Sequence, residues 1–432
     1  VAIGTEQSAI MTERTTELPP APASTCIVGA GPAGALLAYL LARQGLPVTL
    51  LERQADFERE FRGEALHPGA LEVFDQLGLA ERVLALARSR TATLAFHTPQ
   101  GMVDVADLRR IGTRFPFVAM VPQADLLALL VDEAARFPTF RFIRQADVRE
   151  LIEESGQVRG VRYRLADGSE VDLETELTVA ADGRGSRMRR ASGLVARPVA
   201  SDVDLLWFRL PRLPGQVGGG FLGSGGYMIA LERGDEWQCG FVIPKGSHAA
   251  WRNAGIGALR DAVARLAPSL TASAEALVDW RQLRFLSIQA DRLPQWYRPG
   301  LLCLGDAAHV MSPVGGVGTT LAIQDAVAAA QCLAEPLRAG RVTTADLRAV
   351  QRRRFLATWL VQTIQSFDQR FLIEPALRRS GTYRLPLWLR LLLRTPLVRD
   401  VPTRFLTLGV GRVRIDPPVP GVLDAIQAHS KE

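Results

Sequence analysis

Ser24-Thr25-Cys26-Ile27-Val28-Gly29-Ala30-Gly31-Pro32-Ala33-Gly34, with the apolar run 35–42 behind it, is the stretch whose reading decides the fold. A short apolar segment ends in three glycines spaced GxGxxG, and an alanine- and leucine-rich helix pattern follows at once. Gly29 permits the tight turn at the strand end, Gly31 lets the backbone approach a pyrophosphate, and Gly34 lets the helix lie close on the strand. The helix N-terminus adds free N–H groups and partial positive charge. Gly29, Ala30, Gly31, Pro32, Ala33 and Gly34 are thus the expected phosphate cradle. Gly45 caps the helix, and residues 48–51 read as a second buried strand. Glu52 ends that strand 18 residues after Gly34, where a carboxylate can accept hydrogen bonds from a ribose, with Arg53 next to it. The spacing predicts a bound dinucleotide. A second GxGxxG, residues 218–223, follows Pro211, Pro214 and Gly215 with no strand before it and no helix after it, and reads as a flexible loop.

The 432 residues exceed what one hydrophobic core usually supports, so two or three domains are expected. A hydrophobic content of 47% with 22% charged residues fits a globular protein. The four cysteines are far apart, which suggests reduced thiols in a cytoplasmic protein, and no histidine cluster has metal-ligand spacing. Residues 1–23 are polar and read as a flexible tail without a signal peptide, and no apolar run is long enough to cross a bilayer. The net charge of +6 is nearly all arginine, since lysine occurs only at Lys245 and Lys431. Without aromatic-interleaved basic strands or a recognition helix, nucleic acid is not an expected partner.

Past Arg53, residues 61–79 carry a helical face of Leu66, Ala70, Leu71, Phe74 and Leu77 that stops at Gly78. Residues 91–96 and 102–105 read as short strands. Gln123 precedes an amphipathic helix that Asp125 can cap. Residues 140–143, 147–153, 158–165 and 169–173 alternate like strands. They lead into a further apolar strand ending at Ala181-Asp182-Gly183, with Ser186 capping a following helix. Between 201 and 290 the pattern becomes β-rich, broken by a helix over 258–266. Residues 301–304 form a buried strand that ends in Gly305-Asp306, and a glycine-rich turn then opens a long helix near Thr319. The order predicts an α/β protein: a Rossmann-like dinucleotide domain over 24–200 and 291–340, and an inserted β-sheet domain over 201–290. Residues 91–120 join the substrate side, and 341–432 form a C-terminal helical region.

Taken together, GAGPAG, ADGRGS and LGDAAHVMSPVGGVG resemble the FAD-dependent aromatic hydroxylases, the class A flavoprotein monooxygenases of the para-hydroxybenzoate and ubiquinone-biosynthesis hydroxylase type, over about residues 24–340. The resemblance implies that Gly29–Gly34 and Glu52 hold the ADP half of non-covalent FAD. It places Arg62 and Gln123 on the flavin nucleotide, the backbone at Val148 on the adenine, and Asp182 in a motif shared between FAD and NAD(P)H. Asp306 matches the ribityl-binding aspartate, Pro313 the proline on the reacting flavin face, and Gly318, Thr319 and Thr320 the loop at the pyrimidine edge. The family usually has asparagine where Thr320 stands. The implied chemistry is reduction of FAD by NAD(P)H, capture of O2 as a flavin C4a-hydroperoxide, and hydroxylation of an aromatic or other electron-rich apolar small molecule. No catalytic acid or base is assigned. His67 falls near the ring by likeness, where it reads as a packed histidine.

Three other functions share part of this pattern. Flavin-dependent halogenases have a similar Gly63-Glu64…Pro68 stretch, but their WxWxIP motif would fall on residues 239–244, where both tryptophans are missing. They also need a lysine, and none precedes Lys245. A geranylgeranyl-reductase-like enzyme and a non-catalytic flavin-binding protein are the remaining alternatives. Residues 385–413 alternate leucines and tryptophan with arginines, which suits either a tail covering the protein's own core or a peripheral contact with an anionic membrane. A monomer or a homodimer fits the sequence equally.

Overall fold

A computed structural model describes residues 23–58, 63–199, 202–223, 225–378, 395–411 and 413–417. Arg62, nearly all of the N-terminal tail and the arginine-rich residues 379–394 lie outside the described residues.

The motif strand Ala23–Val28 lies at the centre of an eight-stranded sheet, parallel on one side to Val48–Leu51 and on the other to Glu170–Ala180. Phe140–Ile143 and Leu301–Cys303 extend it outward, also in parallel. Cys26 and Ile27 are fully buried because helices cover both faces of a parallel sheet. The helix Pro32–Arg43 is buried from Ala33 to Ala42, wedged between helices Gln123–Ala135 and Gly318–Arg338. Gly45 closes it at φ +74, its N–H donating to the Ala42 carbonyl at 2.8 Å.

Glu170–Ala180 corrects the expected pair of strands. It is one continuous strand that pairs antiparallel with Gln157–Arg164 through Glu174 and then parallel with the motif strand from Thr175. Leu66 belongs to a two-residue strand, Ala65–Leu66, and the helix starts only at Pro68. Asp125 does not cap its helix; Pro122 holds that position and Asp125 sits in the first turn.

A second sheet of seven strands runs in the order Arg284–Leu286, Val203–Pro211, Glu236–Pro244, Gly226–Arg233, Gly219–Gly223, Thr93–Thr98, Gly101–Asp107. The expected loop at 218–223 is therefore largely a strand. Its glycines are spacers: a Cβ on Gly220 would meet the Phe96 ring at 2.3 Å, and one on Gly218 would meet the Trp237 ring at 2.5 Å. One face of the sheet, with Leu206, Phe208, Trp237 and Phe241, packs under the helix His248–Leu266, which starts ten residues earlier than expected and bends at Gly255. The opposite face turns toward the dinucleotide-binding half.

The C-terminal region carries the helix Thr344–Asp368, a π-helical turn Gln369–Ile373 and the helix Glu374–Arg378. Farther on, Pro396–Leu408 packs on the chain's own core: Leu406 joins Met311, Val317 and Leu321, and Leu408 joins Ala65, Val118 and Met120. Asp400 pairs with Arg110 at 3.2 Å. The described part of the arginine-rich stretch thus covers protein.

Candidate active site

A cavity of about 790 Å³ runs between the two sheets, in the size range of small-molecule and cofactor sites. Its walls bring together Gly29, Gly31, Pro32, Ala33, Glu52, Arg53, Gln123, Val148, Asp182, Gly305, Asp306, Pro313, Gly318 and Thr319. Ala30, Gly34 and Thr320 stand just behind the walls.

At one end the three motif glycines do three different things. Gly29 has φ +101 and lies so near the next strand that a Cβ would meet the Ala181 carbonyl oxygen at 2.5 Å. A Cβ on Gly34 would fall 2.0 Å from the Gly29 oxygen, which is the close helix-on-strand approach. Gly31 alone faces open space, with nothing within 4 Å of its would-be Cβ. Glu52 is buried; one carboxylate oxygen accepts the Ala30 N–H at 2.9 Å and the other the Gln54 N–H at 3.0 Å. It braces the cradle as well as walling the cavity.

Val148 reaches the same end, and its carbonyl accepts from the Arg187 guanidinium at 2.8 Å. Asp182 Oδ2 accepts the N–H groups of Arg187 and Met188 at 2.6 and 3.1 Å and so fixes the start of the helix Arg187–Ala191, which Ser186 also caps. Its Oδ1 is buried without a hydrogen-bond partner. Arg184, from the same motif, pairs with Asp306 across the cavity at 3.2 Å.

Behind Asp306 is a buried cluster that the sequence did not disclose. Asp325, fully buried on the Gly318–Arg338 helix, accepts from His309 at 2.6 Å, from Arg354 at 2.7 Å and from the Gly305 N–H at 3.3 Å. Burial pushes the Asp325 carboxyl up, but His309 and Arg354 outweigh it and hold it below the ordinary carboxylate range. Arg354 also donates to Gln324. An acid in the middle of an alanine-rich helix was the one available hint; its partners stand 16 and 29 residues away, beyond any local pattern.

At the other end Pro313 leads a turn in which Gly315 and Gly316 take φ of +79 and +64. His67 Nε2 donates to the Gly315 carbonyl at 2.8 Å, and burial lowers its pKa to about 4, so the imidazole is neutral. Thr319 and Gln123 both donate to the Gly63 carbonyl at 3.4 Å. Thr320 is buried and its hydroxyl oxygen accepts the His67 N–H at 3.3 Å. The shorter side chain thus ties the loop to the His67 turn, where asparagine would reach farther. Three glutamines on one helix face hold this floor: Gln362 donates to the Val310 carbonyl, Gln365 to those of Ser312 and Val314, and Gln369 to the Ser312 hydroxyl. The roof is the free face of the seven-stranded sheet, with Trp207, Ile229, Leu231, Gln238 and Leu286.

These residues fit FAD. The one open glycine and the helix N-terminus face the space a pyrophosphate would take, a buried carboxylate stands at the ribose position, and the unpartnered Asp182 oxygen lies along the same cleft. An apolar chamber then adjoins a turn of backbone N–H groups. Fold and site define a flavin-dependent oxidoreductase, with a second sheet lining the far end of the cavity.

The chain belongs to the family described as FAD binding domain, which it matches over residues 22–363. It is 32% identical over 380 residues to 6-methylpretetramide 4-monooxygenase of Streptomyces rimosus, covering 87% of this chain and 90% of that protein. It is 30% identical over 330 residues to squalene monooxygenase SE1 of Panax ginseng, covering 72% of this chain and 58% of the relative's own length. Among solved structures, the anhydrotetracycline hydroxylase OxyS of Streptomyces rimosus superposes with a TM-score of 0.70 at 22% identity, over 89% of this chain and 75% of that one. The protein is an FAD-dependent monooxygenase.

Proposed function

We propose that the protein uses NAD(P)H and O2 to hydroxylate a flat, largely apolar aromatic molecule, of the kind for which 6-methylpretetramide 4-monooxygenase is named. The observation that carries this reading is the single cavity that runs from Glu52 to the apolar face of the second sheet. When bound, FAD supplies hydride acceptance and oxygen activation, and the chain supplies position and dryness. In this reading residues 24–200 and 291–340 hold the cofactor, and 201–290 with 91–120 cover the substrate.

Gly29–Gly34 cradle the pyrophosphate, Glu52 and Arg53 meet the adenosine ribose, and Val148 meets the adenine. Asp182 and Asp306 take the middle of the cofactor, Asp306 exchanging its Arg184 pair for a hydroxyl. Gln123, Pro313, Gly318 and Thr319 surround the ring, with Thr320 behind them, and Arg62, outside the described residues, keeps the flavin-nucleotide contact that the resemblance implies. Trp207, Ile229 and Leu286 exclude water above it. Anaerobic stopped-flow with NADH and NADPH against phenols, quinone precursors and aromatic polyketides tests the reading. A substrate should speed flavin reduction and yield hydroxylated product once oxygen is admitted. Chloride-dependent product, or dehydrogenation without oxygen, would overturn it.

A second surface favours a peripheral membrane contact. Leu356 is 58% and Trp359 43% exposed on one side of the helix Thr344–Asp368, beside the exposed Arg352 and Arg353. Amphipathic faces of this composition bind anionic bilayers. None of the described helices is long and apolar enough to cross a membrane. Flotation with anionic vesicles at low salt should carry the protein upward; a protein that stays at the bottom and sediments as a dimer assigns this face to a homodimer instead.

A further inference from the structure

The roof of the cavity has one chemical irregularity. Alternation along Glu236–Pro244 sends Trp237, Cys239 and Phe241 into the core under the helix His248–Leu266, so Gln238 and Val242 point the other way, toward the cofactor half. Gln238 pairs across the sheet with Leu231 on one side and Arg209 on the other. One row along, Trp207 and Ile229 flank Gly240; a Cβ on that glycine would meet both side chains at 3.2 Å, so its absence lets the indole lie across the strand. The roof over Trp207, Ile229 and Leu231 is therefore apolar, with the Gln238 amide at its margin beside Arg209.

That amide is only 4% exposed and lines the cavity. A buried amide normally has partners, because leaving it without them costs more than a made bond returns. Gln362 nearby follows the rule: it donates to two carbonyls and accepts from Arg292. Gln238 faces the cavity, where a ligand can supply the partner.

We propose that Gln238 is a specificity-determining residue: its amide hydrogen-bonds an in-plane carbonyl or hydroxyl on the edge of a fused-ring aromatic substrate lying beneath Trp207. The inference rests on the aromatic-substrate reading and adds a requirement to it, that the substrate carry an oxygen substituent on the edge facing the second sheet. An amide offers both a donor and an acceptor, so quinone and phenol edges are both accommodated. A substrate that lacks the oxygen leaves the amide unpaired after the site closes, and is selected against.

The test uses the FAD-loaded protein and three flat probes of the same ring size: anthracene, 9,10-anthraquinone and 2-hydroxyanthracene. Dissociation constants are read from the perturbation of the flavin spectrum, without turnover. The wild type should bind the two oxygenated probes on the order of 10- to 100-fold more tightly than anthracene. Gln238→Leu should lose most of that preference while holding anthracene at least as well. Gln238→Glu, acceptor-only when ionised, should keep the phenol and reject the quinone, and it serves as the second variant if Gln238→Leu does not fold. A preference that persists in the folded Gln238→Leu variant overturns the assignment of Gln238. Equal binding of all three probes by the wild type overturns the proposed selection and leaves the aromatic-substrate reading standing. Failure of the wild type to bind any of them overturns that reading, and the role of Gln238 with it.

Discussion

Gly31→Ala separates the fold from its cofactor. Gly31 sits at φ −76 and ψ −177, extended geometry open to any residue, and its would-be Cβ meets nothing within 4 Å. In the apoprotein two small effects oppose each other. Alanine narrows the unfolded ensemble, which stabilises by about 0.4–1 kcal/mol. It is also a poorer N-cap than glycine, at a cost of roughly 0.5–1 kcal/mol. The unfolding free energy of the FAD-free protein should therefore stay within about 1 kcal/mol of wild type. With FAD the methyl group stands where a pyrophosphate oxygen must approach the backbone. Losing one charge-assisted hydrogen bond removes about 1.5–3 kcal/mol, so affinity should fall by roughly 10- to 150-fold. The assay is paired: urea melts of stripped protein, and FAD titration followed by quenching of flavin fluorescence. Gly34→Ala is the contrast, since its Cβ would strike the Gly29 carbonyl at 2.0 Å; it should destabilise the apoprotein by about 1–3 kcal/mol or more. A Gly31→Ala protein that binds FAD like wild type, or that loses several kcal/mol before FAD is added, would refute the reasoning.

Three other outcomes are expected. Heat or acid precipitation of the holoprotein should release all the yellow colour into the supernatant, and colour retained in the pellet would mean a covalent bond to the flavin. Asp325→Ala leaves His309 and Arg354 buried without their shared carboxylate, so it should cost about 3–5 kcal/mol in chemical denaturation and loosen FAD through the lost Gly305 contact. His67 is neutral in the fold down to about pH 4, whereas its unfolded form takes up a proton below about pH 6.5. Its contribution is complete above pH 6.5 and is lost as pH falls toward 4, up to about 3 kcal/mol. Denaturant midpoints at pH 7 and pH 4.5 should converge in His67→Gln, and an unchanged pH slope would remove His67 from the account.

The phosphate end of the site was legible because backbone geometry dictates its residues. Only glycine satisfies the φ of Gly29 and the approach at Gly34, so the sequence has no freedom there. Asp182, Glu52 and Asp306 were legible for a related reason, as acids ending apolar strands. The other end was legible only at Pro313 and Gly318–Thr320, since its remaining parts come from distant places: the 362–369 helix face and the roof strands. The glycines of 218–223 misled because a strand signal assumes side chains that pack, whereas these are absent to make room for Phe96 and Trp237. Glu170–Ala180 was split because its polar residues lie where the strand changes partner, and alternation is lost when the environment switches from one-sided to two-sided burial. Gln238 carries no local signature, and Asp325 only that of an acid in an alanine-rich helix; each is meaningful through what surrounds it.

The three glutamines under the floor turn also bear on how this enzyme can be re-engineered. Gln365 and Gln369 lie past residue 363, where the family match stops, yet Gln365 satisfies the carbonyls on either side of Pro313 and Gln369 holds the Ser312 hydroxyl. The part of the chain that sets the height of the turn is thus separable in sequence from the part that binds the nucleotide. A chimaera that exchanged only the chain past residue 363, leaving Arg354 on Asp325, would keep the buried support of Gly305 intact. What it would inherit from the donor is the set of side chains that hold the Ser312–Val314 turn at the cavity floor. In this architecture the tail is the interchangeable part.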